Sequence, residues 1–230
     1  MTDTNLTALR QFYAAVHVAL SQNDPDKTPE ANERARRGGL ARARADLAAR
    51  IPSISEPSGP DRAAILAGIR PTTADSLAVA AREREKVQAL LAAGRRYDQI
   101  IPTASRERLG AILDDLEILP EVLASSEGPE IVAEFEAHVF DRLATLGHEP
   151  AVERLRAEET IALPNAWSRV MTEALTGPVT VGAHSALYRA DAEACREAQG
   201  LEISGLGEGI VRSDREQERA DLAAPQSDAA

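Results

Sequence analysis

The chain has 230 residues, a net charge of −11 and 43% hydrophobic residues; 43 residues are alanine and only 3% are aromatic. That length allows one or two domains with a real core. Alanine favours helices packed closely through small side chains, and the scarcity of aromatics excludes a pocket that depends on an aromatic lining.

The single cysteine, Cys195, excludes an internal disulfide framework and a multi-cysteine zinc site, and reads as a buried, inert thiol. The N-terminal "MTDTNLTALRQFY" lacks a basic flank and an apolar signal core, so a cytoplasmic protein without a membrane span is expected. Charge is unevenly placed. Residues 1–108 carry 17 Lys+Arg against 13 Asp+Glu, and residues 109–230 carry 9 against 24. An acidic whole opposes indiscriminate binding to polyanions, while the basic half leaves room for a local nucleic-acid surface.

Capping residues and prolines divide the chain into about nine helices, which predicts an all-α fold, an irregular multi-helix bundle. The first helix spans about Asn5 to Gln22, with Leu6, Leu9, Tyr13, Val16 and Leu20 at helical spacing. Thr28 and Pro29 form a cap and first-turn pair for a second helix, which ends before Pro52 and is broken at Gly38-Gly39. Together these make an N-terminal helical pair over 1–50. The segment "IPSISEPSGP" (51–60) is a linker.

Residues 61–100 form a candidate helix-turn-helix region in which two helices flank "IRPTT" and the second closes at Gly94. An acidic helical domain over 101–212 follows. Its first helix, Thr103 to Leu119, carries Leu109, Ile112, Leu113 and Leu116 on one face. The next opens at Pro129 and closes at Gly147, with Ile131, Phe135, Val139 and Leu143 or Leu146 inward. Shorter helices are expected around Val152–Ala157, Ala166–Leu175 and Ser185–Gln199. Apolar alternation between glycines predicts a small β element near 178–211, and residues 213–230 read as a frayed helix and disordered tail.

The stretch "DRAAILAGIRPTTADSLAVAARER" (61–84) holds every position a helix-turn-helix needs. Ala64 is the small crossing residue, Gly68 the turn glycine with positive φ, and Ile69 the plug. Ala74 and Leu77 fill the later apolar positions, and Thr72 or Thr73 caps the second helix. The alternative is an alanine-rich helical corner, since alanine fills two of these slots in an alanine-rich chain. Residues facing a DNA groove would be Thr72, Thr73, Asp75, Ser76 and Val79, with Arg70, Arg82 and Arg84 for phosphates. Upstream, "ANERARRGGLARARADLAAR" carries Arg34, Arg36, Arg37, Arg42, Arg44 and Arg50, but helical spacing sends Arg42, Arg44 and Arg50 to three different faces.

The residues "AAILAGIRPTTA" (63–74), followed by "KVQALL" (86–91), resemble the N-terminal DNA-binding segment of phage terminase small subunits. The resemblance covers about a tenth of the chain. It departs where the family often has an aromatic after the glycine and this chain has Ile69. It implies Gly68 at the turn, Arg70, Thr72 and Thr73 facing double-stranded DNA, and later helices building a homo-oligomer for DNA packaging. With Ser76 and Arg82, these make the candidate DNA-binding set.

Chemistry is harder to find. Asp114, Asp115 and Glu117 in "AILDDLEIL", with Glu173 downstream, read as solvated helix faces rather than a Mg²⁺ site. His17 and His138 sit beside apolar faces and read as core or boundary residues; His148 follows Gly147, where a cation suits exposed carbonyls. No two histidines have a chelating spacing. The expectation is a non-enzymatic protein with no metal or cofactor, binding DNA through 61–84 and a protein partner or further copies through its acidic half. The competing expectation is a virion-connector-like assembly protein that touches protein alone.

Overall fold

The computed structural model describes residues 2–116, 122, 125–201 and 206–223. Among these there are eleven α-helices, one 3₁₀ turn and no strand. The helices are α1 (Thr2–Ser21), α2 (Pro29–Ala48), α3 (Arg62–Ala67), α4 (Ala74–Ala92), α5 (Tyr97–Ile100), α6 (Arg106–Asp115), α7 (Gly128–Thr145), α8 (Glu149–Ala174), α9 (Val181–Ala190), α10 (Ala192–Leu201) and α11 (Leu206–Ala223), with the 3₁₀ turn at Ile101–Thr103. The chain forms two compact units, residues 1–55 with 159–230, and residues 56–158. The N-terminal helical pair therefore shares a unit with the C-terminal helices, and the acidic 101–212 stretch is divided at 158/159 within α8.

In the first unit α1 and α2 form the most extensive helix pair. Leu9, Phe12, Tyr13 and Val16 of α1 meet Leu40, Ala43 and Leu47 of α2 in one core. Thr28 accepts from the Ala31 N–H and Pro29 occupies the first turn, as the cap-and-proline pattern predicts. Gly38-Gly39 is not a break. α2 runs through it, because each glycine costs about 1 kcal/mol relative to alanine and the buried face outweighs that. At Gly39 an added Cβ would lie 2.9 Å from Ala19 Cβ, so the two helices touch through their smallest side chains. The loop between them is tied by buried Asn32, whose amide donates to the Asp24 carbonyl at 2.8 Å and accepts from the Asp24 N–H at 2.9 Å.

The rest of this core comes from α8 to α11. The two short helices expected at 152–157 and 166–175 are one helix that passes through Pro164. Proline removes one hydrogen bond, but Trp167, Val170, Met171 and Ala174 follow at helical spacing and are all fully buried. The helix expected at 185–199 is instead two, divided at Asp191. Its φ of −159° ends α9, and its carboxylate accepts from the Glu193 and Ala194 N–H groups of α10.

The small β element is not present among the described residues. In "GPVTVG" Val179 is buried and Thr180 caps α9 by accepting from the Ala183 N–H at 3.2 Å, so the stretch serves as a helix entry. Residues 202–205 of the second alternation lie outside the described residues. Residues 213–223, expected to fray, continue α11; residues 224–230 lie outside the described residues. Arg44 staples α11 within the unit, donating to both Asp214 carboxylate oxygens at 3.0 and 2.7 Å and to the Leu175 carbonyl at 2.8 Å.

The second unit is built on Leu109, Ile112, Leu113 and Leu116 of α6, the face the periodicity predicts, against Val139, Phe140 and Leu143 of α7. Leu143 is the inward choice, and Leu146 is exposed. Gly94 and Gly147, with φ of +83° and +76°, end α4 and α7 in the left-handed turn that glycine allows. Half-buried ion pairs tie the helices. Arg62 donates to Glu158 at 2.6 Å and lies 4.3 Å from the Phe140 ring centroid, and Arg84 of α4 bridges Asp114 and Asp115 of α6.

Candidate interaction surface at the α3–α4 corner

Asp61 starts α3 by accepting from the Ala64 N–H at 2.7 Å, and the helix lasts six residues. Gly68 ends it with φ of −67° and ψ of −12°, in the right-handed region. The corner therefore does not use the left-handed glycine that the helix-turn-helix pattern calls for. The buried positions also differ. Ile65, Leu66, Ala80 and Val87 face the core, with Ile69 packed partly against it. Ala64 and Ala74, expected inside, are exposed, and Leu77 is 50% exposed. Ile69, the expected plug, is the one position of the pattern that packs on the core.

The corner is seated on α6 by Gly110. A Cβ there would lie 2.5 Å from the Ile69 carbonyl oxygen, so only glycine admits the turn at this distance. The chain then re-enters helix through a capping box. Thr73 Oγ1 accepts from the Ser76 N–H at 3.2 Å, and Ser76 Oγ accepts from the Thr73 N–H at 2.9 Å and the Thr72 N–H at 3.1 Å. The hydroxyls of Thr73 and Ser76 thus organise the helix start. Thr72 is exposed, Arg70 lies 3.9 Å from Glu136, and Arg82 is exposed with no ion pair among the described residues. Arg84 is held by Asp114 and Asp115.

A groove of about 520 Å³ runs along the corner. Its apolar lining includes Ile69, Pro71 and Val79, and Arg70, Asp75, Arg106 and Glu107 stand around them. Arg106, Glu107 and Gly110 were not foreseen, because they belong to α6 and reach the corner only in the fold. A glycine inside the apolar "LGAILDD" face was the available sign that another backbone approaches there.

The arginine-rich run over α2 and the two residues after it is largely engaged within the chain. Arg36 and Arg37 pair with Glu33, Arg42 donates to the Gly38 carbonyl, Arg44 to Asp214, and Arg50 to Gln11. The acidic candidates are occupied too. Asp114 and Asp115 hold Arg84, while Glu173 accepts from Arg169 and from the Thr180 N–H. Glu117 lies outside the described residues. Among the described residues no group of three or more His, Cys, Asp or Glu is arranged to hold a metal ion, and no helix is long and apolar enough to cross a membrane.

His17 and His138 are exposed rather than core or boundary residues. His148 Nδ1 is buried without a hydrogen-bond partner among the described residues. Burial, and then the nearby Arg106, hold its pKa below the ordinary value, which works against the helix-end cation expected from its position. Cys195 is buried as expected, its thiol donating to the His184 carbonyl at 3.3 Å and its pKa raised by burial. Comparison with protein-family models, curated proteins and solved structures finds no match to this chain.

Proposed function

We propose that this chain is a non-enzymatic helical assembly protein that works by protein contact through the α3–α4 corner and its groove. The observation that carries this reading is the balance of the surface. Around Ile69, Pro71 and Val79 stand two cations, Arg70 and Arg106, and two carboxylates, Asp75 and Glu107. A polypeptide partner satisfies an apolar strip with mixed charge at its rim. A duplex calls for a positive excess.

A second reading, DNA binding at the same corner as in the packaging role implied by the terminase resemblance, is favoured by one feature. Thr72, just before the cap of α4, and Arg82, within that helix, are both exposed. The two readings separate in one experiment, the anisotropy of a labelled random-sequence duplex titrated with protein at several salt concentrations. Each phosphate neutralised adds about 0.9 to the log–log salt slope. The protein-contact reading expects no salt-dependent binding. A slope that shrinks in an Arg70→Ala, Arg82→Ala variant would replace it with the DNA reading.

A further inference from the structure

We infer that the turn between α7 and α8 is a proton-sensitive latch whose moving part is the His148 side chain. The backbone of His148 closes both helices. Its N–H donates to the Leu143 carbonyl at 3.0 Å, and its carbonyl accepts from the Ala151 and Val152 N–H groups at 2.9 and 3.0 Å. Gly147, with φ of +76°, brings the chain round between them. Leu143 and Ala151, one on each side of the turn, are fully buried. The Nδ1 of the imidazole is buried as well, without a hydrogen-bond partner among the described residues.

A neutral ring tolerates that position and a protonated one does not. Its Nδ1–H would be a buried, charged donor with no acceptor, which costs more than a neutral hydrogen bond left unmade. Among the described residues no carboxylate acts on the ring to offset this. Arg106, in the first turn of α6, is the charged group that does act on it, and it has the same sign. Arg142 of α7 is turned to the Ala104 carbonyl and Arg154 of α8 to Glu158, while Glu149, next in the chain, is exposed. The imidazolium is therefore better placed in water, and its exit disturbs a residue whose backbone ends one helix and starts the next. Acid should open the last turn of α7 and the first turn of α8 before the rest of their units. Burial and Arg106 lower the His148 pKa, the direction this requires.

The test is amide hydrogen exchange of the full chain by NMR, from about pH 7.5 to about pH 5, corrected for the intrinsic pH dependence of exchange. Opening at the Ala151 and Val152 amides is expected to rise below pH 6.5, by up to about tenfold per pH unit, and to level off at the folded pKa of His148. The amide of Val170, fully buried in the core of the first unit, should keep its protection. His148→Gln, which cannot take up the proton, should show no rise. Arg106→Met should raise the folded pKa and so make the rise smaller, a readout that does not depend on how well His148→Gln folds. Protection at Ala151 and Val152 that stays flat down to about pH 5 overturns the latch, as does a rise that persists in His148→Gln. A rise shared equally by Val170 is global unfolding and overturns the local opening. An unchanged rise in Arg106→Met overturns the part assigned to Arg106.

Discussion

Replacing Gly110 with alanine tests whether the corner is seated on α6. The new Cβ would lie 2.5 Å from the Ile69 carbonyl oxygen and 3.6 Å from its carbon, so the turn must retreat by nearly 1 Å to reach ordinary contact. The neighbour is backbone at the junction of two helices, and it cannot rotate away as a side-chain end would. Overpacking of this kind costs about 1–3 kcal/mol, here at the upper end because the contact is so short. Alanine returns about 1 kcal/mol in helix propensity. The net loss is about 2 kcal/mol, which for a protein of this size lowers Tm by about 4–8 °C. Gly38→Ala is the control. It lies in α2 with nothing within 4 Å of its added Cβ, so propensity acts alone and stability rises by about 1 kcal/mol. Scanning calorimetry of both variants reads the opposite signs directly. A Gly110→Ala protein that gains stability as Gly38→Ala does would refute the close seat of Ile69 on α6.

Arg44→Ala removes the bidentate pair to Asp214 and the bond to the Leu175 carbonyl; with both charges partly exposed the loss is about 1 kcal/mol, read as about fivefold faster amide hydrogen exchange in α11. Thr73→Ala takes one half of the capping box from α4 and should cost about 1 kcal/mol by thermal melting, while Thr73→Ser retains most of it. His148 has a folded pKa below its unfolded value of 6.5, so the unfolded chain binds more protons between the two. Its contribution is fully present above pH 6.5 and is lost as pH falls through the folded value. Urea titrations across that window should show a slope that disappears in His148→Gln.

The parts of the fold legible in the sequence are those where one local signal acts unopposed. The 3.6-residue spacing of Leu6, Leu9, Tyr13 and Val16 marks the buried face of α1, and Gly94 and Gly147 mark helix ends by their left-handed turns. The errors come where a breaker competes with burial. Pro164 costs about 3 kcal/mol in a helix interior, yet each large side chain buried beyond it, such as Trp167 and Met171, contributes about 1.5–3 kcal/mol. Gly38-Gly39 is outweighed in the same way. The candidate site was half legible. Arg70, Thr72, Thr73 and Ser76 do share one corner, but Arg106, Glu107 and Gly110 join it from α6, and no local spacing predicts that. The helix-turn-helix pattern located the bend correctly and its geometry wrongly, since a small residue followed by glycine also suits an ordinary right-handed corner.

Charge shows why counting residues misjudges this surface. The first 108 residues carry a positive excess, which at the level of composition leaves room for a polyanion. In the fold, that excess is spread among internal partners. Arg36 and Arg37 share Glu33 within the basic half, whereas Arg44 reaches Asp214 and Arg84 reaches Asp114 and Asp115, carboxylates of the acidic half. An arginine held by two carboxylate oxygens must break that pair before it can meet a phosphate, and the gain from the phosphate is reduced accordingly. What matters for a partner is therefore the set of charges left without one inside the chain. At the α3–α4 corner that set includes Asp75, Arg106 and Glu107, of both signs and gathered around an apolar strip, and a partner that carries the same pattern in reverse fits it better than a polyanion does.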